Sequence, residues 1–403
     1  MIKEITPKQL LVGMFIHKLH CSWIDHPFMK NRFMIESEAD MNKLIKAKIK
    51  LISIDTSKGV DVAPPEIEAT DETEKSIHFQ IAISQFEKDI ESKQFQESLE
   101  IRVKLAKKLV GSASKVVTNI MSEVRSGKKI DMEVCDQVVS CITRMISKDP
   151  HTLLGVSRLK TKDEYTFIHS VSVSALLASF ACSLGYSPDE IDQIALGGLL
   201  HDIGKSLTPN EILNKPGKLT DEEFIIMRQH VVERTNTLLA GYDLPQLALD
   251  VITMHHERPD GRGYPAGLKE DQITEAGKMS SIVDIYDALT SVRAYKEAWE
   301  PTETLKKMMS WCPDQLDRAL LKKFIKTLGI YPVGSLVELE SGKVGLVIEQ
   351  NENLLRPVLK VIFDVIQHQY TVVHELNLLN ELDETVVQTI APEKYKINLS
   401  AFI

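Results

Sequence analysis

LALDVITMHHERPDGRGYPAGL, residues 247–268, keeps an apolar helical rhythm as far as Met254 and then changes character. Two histidines, His255 and His256, stand side by side where the rhythm stops. Behind them Gly261, Gly263, Pro265 and Gly267 build a loop whose shape glycine and proline dictate. Neighbouring side chains diverge by about a hundred degrees on a helix and point to opposite faces of a strand. A histidine pair at such a junction raises the question of what both rings serve.

Outward from this stretch the helical rhythm dominates. Apolar residues recur every three or four positions in LEIRVKLAKKLVGSASKVVTNIMSEV (99–124) and DMEVCDQVVSCITRMI (131–146), and the pattern runs on to about residue 330. Polar turns such as LTPNEILNKPGKLT (207–220) interrupt it. The period then switches to two: SLVELESGKVGLVIEQ (335–350) alternates across a Ser341-Gly342 turn, and RPVLKVIFDV (356–365) repeats the alternation. At the other end, VGMFIHKL (12–19) and KLISIDTSKG (50–59) read as strands around the helical spacing of SEADMNKLIKAKIK (37–50). APPEIEATDETEK (63–75) has no period and reads as linker. The expected fold is mainly α: an all-helical bundle with a small N-terminal α+β domain and a short C-terminal β-rich appendage. Its expected divisions are 1–62, a linker at 63–80, a helical connector at 81–144, the main helical domain at 145–332 and the β-rich tail at 333–403.

Composition narrows the function. A chain of 403 residues, 43% hydrophobic and 26% charged, is globular and long enough for two to three domains. A net charge of -9 argues against a DNA or RNA polymer as ligand, which needs a basic face. Five scattered cysteines without a C-x-x-C pair read as reduced thiols. No run approaches the ~18 apolar residues of a spanning helix, and the N-terminus lacks a signal-peptide core. A cytoplasmic protein without a membrane partner is expected.

Histidine placement points to chemistry. Five of twelve histidines fall in apolar helical contexts: His169 in YTFIHSVSVSALLASF, His201 in IALGGLLHDIGK, His230 in EEFIIMRQHVV, and the pair at 255–256. Asp202 follows His201, while Asp284 and Asp287 lie one turn apart in SSIVDIYDALTS. A lone histidine on an apolar face is usually a hydrogen-bonded core residue. Five with three carboxylates in one domain are different, because buried carboxylates without a cation are expensive. Such a mixed donor set suits Fe, Mn or Zn better than Mg or Ca, and helix bundles build metal sites in this way.

The ordered set YTFIHS, LLHDIGK, ILNKPGKLTDEEF, HHERPDGRGYPAGL and DIYDALTSVRAYK, over about residues 145–330, resembles the HD-GYP phosphohydrolases, a bacterial branch of the HD superfamily. The flanks resemble those of one HD-GYP subgroup. The resemblance implies a helical catalytic domain, two or three divalent transition-metal ions (Fe or Mn foremost) and a cyclic dinucleotide substrate, principally cyclic di-GMP. It implies that the histidine pair closes a helix so that both rings reach the metals. His201, Asp202, Asp284 and His169 would hold one ion; His230, His255 and His256 would hold its neighbour, with Asp202 bridging. Asp202 and Lys205 would be catalytic. Lys205, Arg262, Gly263, Tyr264, Pro265, Asp287, Arg293 and Lys296 would meet the substrate, which opens to linear pGpG and onward to GMP.

Departures matter too. Tyr165 stands where some members carry a third-metal glutamate, with Glu164 beside it, so two ions are expected. Arg262 replaces a small loop residue, and Val292 and Ala294 stand where Asp and Pro are frequent. Arg262 is therefore a candidate for reading guanine. The competing expectations are 3',3'-cyclic GMP-AMP as preferred substrate, and a non-catalytic sensor or scaffold. A homodimer or a regulatory protein partner stays open.

Overall fold

The computed structural model describes residues 2–7, 10, 12–20, 32–35, 37, 40, 44, 49, 51–59, 83–157, 165–291, 298–397, 399 and 402. It divides into two compact units, Met1–Ile81 and Ala82–Ile403. The linker expected at 63–80 lies outside the described residues, as does most of the helix expected over 37–50.

In the first unit, β1 (Ile2–Ile5), β2 (Phe15–Leu19), β3 (Phe33–Met34) and β4 (Ile52–Asp55) form an antiparallel sheet in the order β1-β4-β2-β3. Ile5, Met14, Ile16, Leu19, Ile52 and Ile54 are the buried residues that close its core.

The second unit is helical and then β. Its described helices include α1 (Leu99–Arg125), α2 (Met132–Lys148), α3 (Pro150–Ser157), α4 (Tyr165–Leu184), α5 (Pro188–Leu200), α6 (Asp221–Arg228), α7 (Glu233–Leu239), α8 (Gln246–Met254), α9 (Glu275–Thr290), α10 (Pro301–Met309) and α11 (Arg318–Leu328). Side-chain caps fix their starts: the hydroxyl of Ser98 accepts from Ile101 N–H, and Ser187 with Glu190 closes a capping box on α5. The inward face of α1 buries Leu105, Leu109, Val117, Ile120 and Val124, the spacing seen in the sequence. Among the described residues no helix is long and apolar enough to cross a membrane.

Close approach of α5 to its neighbours positions the site. A methyl on Gly198 would come within 3.0 Å of Ser174 Cα in α4, and one on Gly197 within 2.9 Å of the Ala248 carbonyl in α8. The absent side chains let α5 wedge between both helices. His169, His201 and His255, one from each helix or its end, thereby converge.

The tail is a five-stranded antiparallel sheet of β5 (Leu336–Leu339), β6 (Lys343–Glu349), β7 (Val358–Asp364), β8 (Gln369–Asn377) and β9 (Val386–Ile390), ordered β8-β7-β6-β5-β9. The period-two pattern around Ser341-Gly342 is the β5–β6 hairpin, with Leu336 opposite Leu346.

Candidate metal centre

His169 projects from α4, His201 caps the C-terminal end of α5, and Asp202 turns the chain into a 3-10 segment, Ile203–Leu207, that returns Lys205 to it. His230 stands two residues beyond α6, and Asp284 and Asp287 lie on α9. The helix question of the histidine pair is settled by the backbone: α8 ends at Met254, His255 is its cap, and the two rings sit 4.1 Å apart, facing one centre.

Hydrogen bonds decide which ring nitrogen is offered. Nδ1 of His201 pairs with the Gly198 carbonyl at 2.8 Å, that of His230 with Met227 O at 2.6 Å, and that of His255 with Ile252 O at 2.8 Å. Each carbonyl is three residues back, so each Nδ1 carries the proton and each Nε2 presents a lone pair. Those three Nε2 atoms and Asp202 Oδ1 are buried without a hydrogen-bond partner. Buried polar atoms are rarely orphaned, and four of them in one cluster fit the role of cation ligands.

Two donor groups emerge: His169, His201 and Asp202; and His230, His255 and His256. Asp202 lies between them. Its Oδ2 is 3.7 Å from His169 Nε2 and 3.4 Å from His201 Nε2, while Oδ1 is 3.5 Å from His230 Nε2 and 3.9 Å from His255 Nε2. Asp284 reaches His169 Nε2 at 3.1 Å and His256 Nδ1 at 3.8 Å.

The electrostatics match. Burial, followed by the Lys205 cation, pushes the His230 ring down to about 3. Burial likewise takes His256 down to about 4 and lowers His255. These rings are neutral at pH 7, the form that ligates. Burial also opposes the charge on Asp202, but the Lys205 ammonium, 2.5 Å from Oδ2, and the neighbouring histidines hold its carboxyl far below the usual range. For His169 burial again favours the neutral ring, yet the hydrogen bonds of Asp284 and Asp287 raise it to about 9.

The loop after the histidine pair hangs on a residue that sequence reading passed over. Glu257 is 2% exposed, and its carboxylate accepts from the backbone N–H of Ala266 at 2.7 Å, Gly267 at 3.2 Å and Leu268 at 2.9 Å. A methyl on Gly263 would lie 2.5 Å from Glu257 Cα, so only glycine passes there. Tyr264 N–H then donates to His256 O at 3.1 Å and its ring rests 4.6 Å from the His256 ring. Pro265 follows it, half way round the loop and exposed. The signal for Glu257 was present: a run of loop N–H groups needs an acceptor, and the carboxylate beside the pair is close in sequence.

Two expected substrate contacts stand differently. Asp287 is 2% exposed and bonds His169 Nδ1 at 2.7 Å, on the other side of the ring from Asp284 and Asp202. Arg262 is exposed on the loop, its backbone N–H held by Asp260 at 3.0 Å. The guanidinium resting on Tyr264 belongs to Arg228, 4.6 Å from the ring centre. Arg293, Lys296, Val292, Ala294, Glu164 and the side chain of Tyr165 lie outside the described residues.

A helical bundle that gathers histidines and aspartates around the His201-Asp202 pair defines an HD-type, metal-dependent phosphohydrolase. Family comparison agrees: the HD domain matches residues 140–320, a domain of unknown function (DUF3391) matches 2–135, and a KOW domain associated with HD domains matches 336–398. A cyclic di-GMP phosphodiesterase of Pseudomonas aeruginosa, PA4108, is 40% identical over 365 residues, 90% of this chain and 86% of that one. A Thermotoga maritima cyclic di-GMP phosphodiesterase is 35% identical over 171 residues, 41% of this chain and 45% of its own, and a 3'3'-cGAMP-specific phosphodiesterase of Vibrio cholerae 35% identical over 153, 38% of this chain and 35% of its own. In structure, Bd1817 of Bdellovibrio bacteriovorus, an HDG"Y"P protein, superposes with TM-score 0.51 at 18% identity, covering 81% of this chain and 99% of that one, and so shares the fold. The chain belongs to the HD-GYP family of phosphodiesterases.

Proposed function

We propose that this chain hydrolyses cyclic di-GMP in the cytoplasm, opening the ring to linear pGpG and then to GMP, with two divalent transition-metal ions, iron or manganese, as cofactors. The carrying observation is the set of orphaned buried atoms, Nε2 of His201, His230 and His255 with Asp202 Oδ1, that belong to two adjoining donor groups. His169, His201, Asp202 and Asp284 would hold one ion, and His230, His255 and His256 would hold the other, with Asp202 placed between the two groups. When bound, such cations make a shared water more acidic and neutralise phosphate charge.

The chain's own groups do the rest. Nδ1 hydrogen bonds fix the rings of His169, His201, His230 and His255, so the phosphate meets a largely preorganised site. Lys205, 24% exposed beside Asp202, faces the approaching diester and balances a non-bridging oxygen. Tyr264 with Gly263 and Pro265 walls the cluster on the loop side. Cyclic di-GMP is favoured over 3',3'-cyclic GMP-AMP because the relative named for it matches nearly the whole chain, whereas the cyclic GMP-AMP-specific relatives match only parts.

The test is product analysis with protein purified anaerobically and loaded with iron or manganese. Conversion of cyclic di-GMP to pGpG at a higher kcat/KM than cyclic GMP-AMP is expected. A reversed preference moves the substrate to the hybrid ring, and binding without turnover in metal-loaded protein overturns the enzyme reading.

A further inference from the structure

Beyond His256 the site continues as a stack of flat groups. The Tyr264 ring lies 4.6 Å from the His256 ring at 32°, and the Arg228 guanidinium carbon lies 4.6 Å from the Tyr264 ring centre. Phe224, one helical turn before Arg228 on α6, sits 5.9 Å from Tyr264 edge-on and 5.8 Å from the same guanidinium. Phe224 is 44% exposed and Ile225 62% exposed. Among the described residues no carboxylate forms a salt bridge with Arg228, although Asp221, Glu222 and Glu223 share its helix.

This surface is held in place. Thr220 and Glu223 form a capping box at the start of α6, and Lys215 binds the Glu223 carboxylate at 2.5 Å. At the other end Met227 O accepts from His230 Nδ1, so the turn carrying Arg228 is fixed to a metal-ligating ring. Glu257 holds the loop beneath. A planar cation with one face on tyrosine has its edge donors left over, and an exposed phenylalanine beside it offers a stacking face. That combination suits a nucleobase.

We propose that Arg228 and Phe224 form the base-recognition subsite next to the metal centre, Phe224 stacking on a guanine and Arg228 donating to its O6/N7 edge. The inference rests on the cyclic dinucleotide reading above. A cyclic dinucleotide whose phosphate lies on the cluster carries its nearest nucleoside out past His256, and the Tyr264–Arg228–Phe224 stack is what the chain places there. Guanine presents two acceptors on that edge, whereas adenine presents a donor at the matching position. A planar guanidinium presents two donors in a fixed fork to that acceptor pair, whereas an ammonium on a flexible stem lacks the fork.

The experiment measures kcat/KM for cyclic di-GMP, 3',3'-cyclic GMP-AMP, cyclic di-AMP and bis(p-nitrophenyl) phosphate, a phosphodiester without bases, in wild type, Arg228→Lys and Phe224→Ala, with metal content checked in each. Arg228→Lys should lower the ratio of cyclic di-GMP to bis(p-nitrophenyl) phosphate activity by roughly tenfold or more, the worth of a bidentate base contact. Its cyclic di-AMP ratio should hold. Phe224→Ala should raise KM for all three rings by roughly fivefold or more, as loss of one stacking face does for any base. Equal losses on all four substrates, or none, overturn the subsite while leaving the substrate reading intact. Wild type that cleaves bis(p-nitrophenyl) phosphate but no cyclic dinucleotide overturns both.

Discussion

Asp287 accepts a hydrogen bond from His169 Nδ1 at 2.7 Å, on the opposite side of the ring from Asp284 and Asp202. A carboxylate behind a ligating histidine fixes the ring's rotation and raises its basicity. Asp287→Asn should therefore weaken metal retention by about 10–100-fold, the usual effect of losing such a partner. Competition with a chelator, read by elemental analysis, checks it. Metal affinity equal to wild type would return Asp287 to a role toward substrate.

Asp202→Ala should deplete both ions together, because its two oxygens face the two donor groups. Hydrolysis should vanish while far-ultraviolet circular dichroism stays helical. Loss of one ion with the other retained would show that Asp202 does not bridge. Full activity at normal metal content would dismantle the ligand assignment.

Much of this site was legible in sequence, and the reason is chemical. His169, His201, His230, His255, His256, Asp202 and Asp284 are costly to bury without a purpose, so their joint occurrence on apolar helices stands out. The period-two tail was equally plain, since β5–β6 alternates around a turn glycine. What stayed hidden depends on direction. One turn of helix separates Asp284 from Asp287, and a sequence period puts both on similar faces; only the position of the His169 ring between them sends one to the cluster and the other behind it. Arg228 was invisible for a related reason. It reaches Tyr264 by tertiary packing across 36 residues of sequence, while Arg262 drew attention by sitting inside the loop motif.

Glu257→Gln should loosen the loop without removing metals. One oxygen would become an amide that donates, facing a backbone N–H that also donates. A buried donor left without an acceptor costs roughly 1–3 kcal/mol, visible as a lower urea midpoint. Turnover of cyclic di-GMP should fall with it, because Tyr264 is carried on that loop. Unchanged stability together with unchanged turnover would remove Glu257 as the loop's anchor.

The metal-free protein should be most stable near pH 6.5, and the histidines set both flanks. Burial lowers His230 to about 3 and His256 to about 4, and lowers His255, from the ordinary 6.5. Below pH 6.5 the unfolded chain binds protons at these rings that the folded protein refuses, so stability falls as pH drops toward 4. His169 acts in the opposite direction. Its ring is held up to about 9 by Asp284 and Asp287 against the effect of burial, so the stability it adds is complete below 6.5 and is lost as pH rises toward 9. Metal loading should change this balance: the three neutral rings have no proton to expel, whereas His169 must release one. Urea unfolding of chelator-treated protein at pH 5, 6.5 and 8.5 checks the flanks, and proton release on adding manganese in weak buffer at pH 7.5 checks His169. A stability profile flat between pH 6.5 and 5 would contradict neutral, buried His230, His255 and His256. Metal uptake without proton release would contradict the charged His169.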